Sequence, residues 1–114
     1  MAFILLKTNQ PLSAEQENAL QAQIGQAMGL IGQSADYLLL GLEGGQSLYL
    51  RGAKQPAALL QISIFGNDSH QGYAPFSQAL TQIVSQTLAI PAANIYIKFD
   101  DLQSWAVAGR LMEK

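Results

Sequence analysis

The sequence predicts an α+β fold in which two similar β-α-β units run in tandem (β-α-β-β-α-β), forming a four-stranded mixed sheet with two helices on one face. Three observations carry this. Short apolar runs of strand length alternate with segments whose apolar residues recur at helical spacing. The second half of the chain repeats the first at a period of about 56 residues, the length of one β-α-β unit with its connection. At 114 residues a single core is the economical outcome, so both halves belong to one domain over residues 1–114.

The first element is Phe3 to Leu6, a continuous apolar run ending at Thr8-Asn9-Gln10-Pro11, and it reads as a buried strand. Ser13 followed by Gln16 makes a capping box, in which each side chain satisfies an orphan amide of the first helical turn. Behind it Leu20, Ile24, Ala27, Met28 and Ile31 form one helical face, and Gly32-Gln33-Ser34 ends the helix. Tyr37 to Leu42 is a second apolar strand, Gly44-Gly45 a turn, and Ser47 to Arg51 a short alternating strand. Then the order begins again. Leu59 to Phe65 is a strand and Gly66 to Gly72 a polar loop. Phe76, Leu80, Ile83, Val84 and Leu88 form a second helical face, Ile90-Pro91 breaks it, and Asn94 to Phe99 is the last long strand. Overlaid, Phe3–Leu6 falls on Leu59–Ile62, and Leu20, Ile24, Ala27 and Met28 fall on Phe76, Leu80, Ile83 and Val84.

Two right-handed β-α-β units put both helices on one face of the sheet. Strands with one buried face alternate, yet Phe3-Ile4-Leu5-Leu6 and Leu38-Leu39-Leu40 are apolar on both sides. No element is left over to cover the second face, so another copy of the chain is the expected cover. Composition agrees: hydrophobic residues are 49% and charged residues 12%, against a usual charged fraction of about 25%.

A net charge of −2 and dispersed basic residues give no electrostatic footprint for nucleic acid. An RNA-recognition domain shares the element order, but no strand carries its basic and aromatic signature. The absence of cysteine excludes disulfides, thiol nucleophiles and thiolate metal sites. His70, Asp68 and Asp100-Asp101 lack metal-ligand spacing with a third ligand and read as solvated loop residues. No apolar run approaches the roughly 20 residues that span a bilayer, and the N-terminal segment lacks the features of a signal peptide, so a cytoplasmic protein without membrane contact is expected.

Four segments together resemble the macrophage migration inhibitory factor and D-dopachrome tautomerase family of the tautomerase superfamily. They are Phe3–Pro11, Asp36-Tyr37, Ser63-Ile64-Phe65-Gly66 and Ile90-Pro91-Ala92-Ala93-Asn94-Ile95-Tyr96-Ile97, and the likeness runs almost end to end. It implies a homotrimer with active sites between adjacent subunits. It also implies keto-enol tautomerisation of phenylpyruvate-like or dopachrome-like acids, small aromatic 2-oxo acids, without metal or cofactor. Such proteins leave cells without a signal peptide, so the resemblance leaves extracellular action open.

The family's catalytic base is an N-terminal proline amine, and the matching position here is Ala2. Once Met1 is removed, Ala2 presents a primary amine with an ordinary pKa of about 7.7–8.0, able to act as a weak base or to form an imine. With Met1 retained, Ala2 has no free amine. By the same resemblance Tyr96 is the tyrosine contributed by a neighbouring subunit, and Tyr37 is a pocket aromatic. Ile64, Phe65 and Val107 belong to the apolar wall. The cation that grips the substrate carboxylate is replaced by Gln33, and Lys98 stands where the family has a pocket asparagine; two residues after Tyr96 and on the same strand face, Lys98 is a candidate to supply the missing charge from the adjacent subunit. The family's paired-cysteine motif reads Ala57-Ala58-Leu59-Leu60, and Gly109 and Lys114 stand in place of aromatic rim residues, leaving the pocket mouth more open. Two functions follow as expectations: a tautomerase of low standard activity, or a non-catalytic trimer that keeps the pocket for ligand or protein binding.

Overall fold

The computed structural model describes residues 1–114. Strand β1 (Ala2–Thr8), helix α1 (Ala14–Ala27) and strand β2 (Leu38–Glu43) form the first unit; β3 (Ala58–Ile64), α2 (Tyr73–Leu88) and β4 (Ile95–Asp101) form the second. A hairpin of β5 (Ser104–Val107) and β6 (Arg110–Glu113) closes the chain. The main sheet has the order β2-β1-β3-β4, with β1 parallel to β2, β3 parallel to β4, and β1 antiparallel to β3. Each β-α-β unit is therefore parallel within itself, and the units meet back to back at the sheet centre.

The predicted capping box is formed: the Gln16 amide donates to Ser13 Oγ (3.1 Å), and the Ser13 amide donates to Gln16 Oε1 (2.9 Å). Helix α1 ends as an α-helix at Ala27 and continues as a 3₁₀ turn, Met28–Ile31, closed by Gly32 in the left-handed conformation. Helix α2 begins instead at Gly72, whose φ of 84° is left-handed and whose α-hydrogen faces the Leu30 carbonyl; a Cβ there would lie 1.9 Å from that oxygen.

Strands β1 and β3 alternate strictly between buried and half-buried positions. Ile4, Leu6, Leu60, Ile62 and Ile64 face the helices and meet Leu20, Ile24, Met28, Phe76, Leu80 and Val84 in one core. Phe3, Leu5, Leu39 and Leu59 lie on the other face, by strand parity and register. No helix covers that face, and Leu39 is 64% exposed. Full burial of one such aliphatic side chain is worth about 1.5–3 kcal/mol, so this face is a standing drive toward association.

Two elements differ from the sequence reading. Ser47–Arg51 is not a strand: only Leu50 and Ala53 pair, around a two-residue turn at Arg51-Gly52 in which both residues have positive φ. The turn uses up the residues that an extended strand would need. The β5–β6 hairpin, absent from the reading, is built on the same kind of turn at Ala108-Gly109.

The polar loop residues are paired rather than freely solvated. His70 Nε2 lies 2.5 Å from Asp101 Oδ2, Tyr73 donates to Asp101 Oδ1 (3.0 Å), and Lys114 reaches Asp68 (2.6 Å). His70 stacks on Tyr73 and Tyr73 on Phe99, at centroid separations of 4.6 and 4.3 Å. Burial, the hydrogen bond to Asp101 and the charges of Asp101 and Asp68 push the Tyr73 hydroxyl up to about 12. The hydrogen bonds from His70 and Tyr73 hold Asp101 below the usual carboxylate range. No three His, Cys, Asp or Glu residues are grouped to hold a metal, and no helix is long and apolar enough to cross a membrane.

Candidate functional site

Parallel pairing of β1 with β2 brings the starts of both strands to one end of the sheet, where Ala2 stands beside Leu38 and opposite Ile64. The β5–β6 hairpin folds over this end. The result is an apolar cavity of about 270 Å³ lined by Met1, Asp36, Tyr37, Leu38, Leu39, Trp105 and Val107. The Met1 amine donates to Gln33 Oε1 and to the Phe65 carbonyl (3.2 Å), while the Phe65 amide donates back to the Met1 carbonyl (2.9 Å). Burial lowers the pKa of this amine, because desolvation penalises its charged form.

The structure thus brings Gln33, Tyr37, Phe65 and Val107 to the start of β1. Gln33 comes from the end of the first helix, and Phe65 lies just after β3. Ala2 is there too, but its methyl group is fully buried toward the helices and its nitrogen is a peptide nitrogen behind Met1. Ile64 is also buried, facing the helices as the cross-strand partner of Ala2, so it supports the floor of the site from within the core.

Tyr96 and Lys98 lie elsewhere in the chain. Tyr96 pairs with Leu59, five positions along β3 from Ile64, which is roughly 17 Å along the strand. It lines a second, smaller cavity of about 140 Å³ with Tyr49, Leu50, Ala57, Ala58, Leu59 and Asn94. Lys98 shares the open face of β4 with Tyr96 and is held by Asp100 at 2.9 Å, an ion pair between two half-exposed side chains. Both residues sit on the face that carries Phe3, Leu5 and Leu39.

Sequence reading missed three participants. The Met1 amine meets a side chain 32 residues away, a contact with no local signature. Trp105 and Arg110 enter through the hairpin; the available signal was the Gly after Ala108 between alternating residues, which marks a two-residue turn. The Trp105 indole N–H is buried without an acceptor, a condition that costs about 1–3 kcal/mol. A larger cleft of about 460 Å³ runs between residues 29–32 and 66–71. Among its lining residues the one titratable side chain, Asp68, is paired with Lys114, and most of the rest are glycine or uncharged polar residues.

Comparison with known proteins bears on the family and the fold. Residues 1–111 match the macrophage migration inhibitory factor family. A macrophage migration inhibitory factor homolog of Brugia malayi is 23% identical over 114 residues, covering 95% of this chain and 94% of the homolog. Among solved structures, Leishmania major MIF2 superposes with a TM-score of 0.91 at 17% identity, covering 98% of this chain and 97% of that one. A homologue from Prochlorococcus marinus superposes with a TM-score of 0.85 at 24% identity, covering 96% and 97%. With the family match spanning nearly the whole chain and the α+β sheet-and-helix architecture shared, the chain belongs to the macrophage migration inhibitory factor family of the tautomerase superfamily.

Proposed function

We propose that the chain is a trimeric tautomerase-type protein whose pocket takes small aromatic 2-oxo acids, with standard keto-enol tautomerase activity low because Ala2 replaces the catalytic proline. The observation that carries the reading is the division of the apolar lining between two ends of the sheet. Met1, Tyr37 and Val107 line one end and Tyr96 lines the other. One copy cannot close a site from both, whereas a second copy laid against the open face of Phe3, Leu5 and Leu39 brings Tyr96 of the partner subunit to the amine. The same docking covers apolar surface that the chain leaves bare.

Tautomerisation in this pocket needs a base to take the proton from the carbon beside the ketone and a donor to steady the enolate oxygen. The amine at the start of β1 is the base: burial lowers its pKa and so favours the unprotonated form that accepts a proton. Tyr96 of the partner subunit is the donor, and the apolar walls at Tyr37, Phe65 and Val107 hold an aromatic ring. Where Met1 is removed, the Ala2 nitrogen becomes the amine and the space occupied by Met1 opens to ligand. A primary amine at this place lacks the ring that fixes the proline nitrogen, so it is less well aimed and more heavily hydrated.

A second reading, a trimer that binds without catalysing, is favoured by one contact: the Met1 amine already donates its N–H groups to Gln33 Oε1 and the Phe65 carbonyl, which fixes it against the chain itself. Intact mass of untagged protein identifies the residue bearing the amine, and phenylpyruvate tautomerase rates of wild type and Ala2→Pro then decide. The expected result is a low wild-type rate and a gain of about 10²–10⁴-fold in the processed variant. Equal rates would remove the proline-centred reading, and no activity in either would favour the binding protein.

A further inference from the structure

An acid ligand needs a cation, and the end of the first helix offers only the neutral Gln33. Of the six basic side chains, three are tied to carboxylates: Lys7 to Glu43, Lys98 to Asp100 and Lys114 to Asp68. Arg51 donates to Asn94 and Lys54 lies over the Tyr49 ring, both beside the smaller cavity. Arg110 remains, an exposed guanidinium with no hydrogen-bonding or ionic partner in the chain.

Its position is informative. Val107 and Arg110 are cross-strand partners flanking the Ala108-Gly109 turn, and Trp105 pairs with Met112. Directly opposed residues share a face, and alternate residues of a strand share it too, so Trp105, Val107, Arg110 and Met112 lie on one side of the hairpin. Trp105 and Val107 on that side line the Met1 cavity, which puts Arg110 at its rim. Glu113, the nearest acid in sequence, pairs with Ser104 on the opposite side. Asp36 also lines the cavity, so without Arg110 the rim would repel an anion. The face therefore presents one unmet cationic donor, the Arg110 guanidinium.

Resting on the pocket reading above, we propose that Arg110 grips the ligand carboxylate at the mouth of the Met1 cavity, so that ligand selection for small aromatic acids resides in the hairpin and not at the helix end. A planar guanidinium receives a carboxylate through two parallel hydrogen bonds, which gives orientation as well as charge.

Trp105 is the only tryptophan, so its fluorescence reports on this cavity directly. The test titrates 3-phenylpropanoate and the neutral 3-phenylpropanamide into the full chain, as wild type, Arg110→Gln and Lys98→Ala. Wild type is expected to prefer the carboxylate, Arg110→Gln to bind it about tenfold more weakly with the amide unchanged, and Lys98→Ala to match wild type. If Arg110→Gln keeps the wild-type ratio of the two affinities, or if Lys98→Ala loses it, the pocket stands and the assignment of Arg110 is overturned. If wild type binds neither compound, the pocket reading falls and the inference with it.

Discussion

The two halves of this chain share a backbone plan and differ in what they do with its ends. Ala2 corresponds to Ala58, Leu20 to Phe76, Ile24 to Leu80 and Met28 to Val84, and all eight are buried in the common core. Each half then ends in a two-residue turn with positive φ, Arg51-Gly52 or Ala108-Gly109. Even the cavities correspond: Met1, Leu39 and Val107 line one, and Ala57, Tyr96 and Leu50 line its counterpart. Yet the position just before β1, Met1, carries an amine bonded to Gln33, whereas the corresponding Ala57 before β3 has a peptide N–H that donates to Asn9. Packing tolerates repetition because it asks only for volume and polarity. Chemistry needs one group in one place, and here only one of the two equivalent ends offers a titratable nitrogen.

The sharpest structural break between the halves is at the helix starts, and it yields the largest expected effect. Gly72→Ala places a methyl group against the Leu30 carbonyl and demands a left-handed backbone from alanine, so a loss of at least about 3 kcal/mol is expected. Ser13→Ala, at the equivalent start of α1, removes only a side-chain cap and costs about 1 kcal/mol. Urea unfolding of both variants checks the pair. Equal losses would mean that the α2 start relaxes away from residues 28–31, and that the two helices are tied together less tightly than their packing indicates.

Much of this was legible in the sequence, and the boundary is physical. Strands and helices repeat local patterns, so Ser13 with Gln16, the Leu20 and Phe76 faces and the polar loop before α2 could be read directly. The open-face placement of Tyr96 with Lys98 follows from strand parity, and the same parity would have given the Lys98–Asp100 pair. The hairpin was not legible because Ala108-Gly109 lacks the Asn or Asp that usually announces such a turn, and Arg51-Gly52 passed for strand for the same reason. Gln33 at the amine, and His70 on Asp101, are tertiary contacts between distant loops that no local period encodes. Family resemblance named Gln33, Tyr37, Phe65 and Val107, which the fold gathers at the start of β1, but not how they are arranged there.

A smaller effect isolates the second half alone. Its Tyr73 is enclosed by His70, Phe99 and Asp101, an assembly for which the first half has no counterpart. In a tyrosinate absorbance titration Tyr73 is expected to ionise near 12, and Asp101→Asn to bring it part of the way back toward 10. Burial, the leading cause, persists in that variant. The raised value means that the Tyr73 contribution to stability is full below pH 10.0 and fades as pH rises toward 12. Asp101 acts in the opposite direction: its lowered value gives stability above its ordinary 3.8 that is lost as pH falls through the folded-state value. If Asp101→Asn leaves the Tyr73 titration where it was, the hydrogen bond is not formed in solution.

The turns give the smallest effect and the finest comparison. Arg51 and Ala108 each hold a φ near 50°, a conformation that asparagine adopts more readily than either residue. The better turn residue contributes about 0.5–1 kcal/mol of stability at each position, but only one of the two variants is expected to keep that gain. Ala108→Asn acts on a hairpin with four paired positions and should show the gain in full. Arg51→Asn also removes the guanidinium bond to Asn94, whose amide donates onward to Pro56 and Gln55, so the turn's gain is offset by a lost link to the start of β4. Thermal melts of the two single variants resolve the difference. A full gain at position 51 would show that the Arg51–Asn94 bond contributes nothing net, and that the segment joining the halves is held by its backbone turn alone.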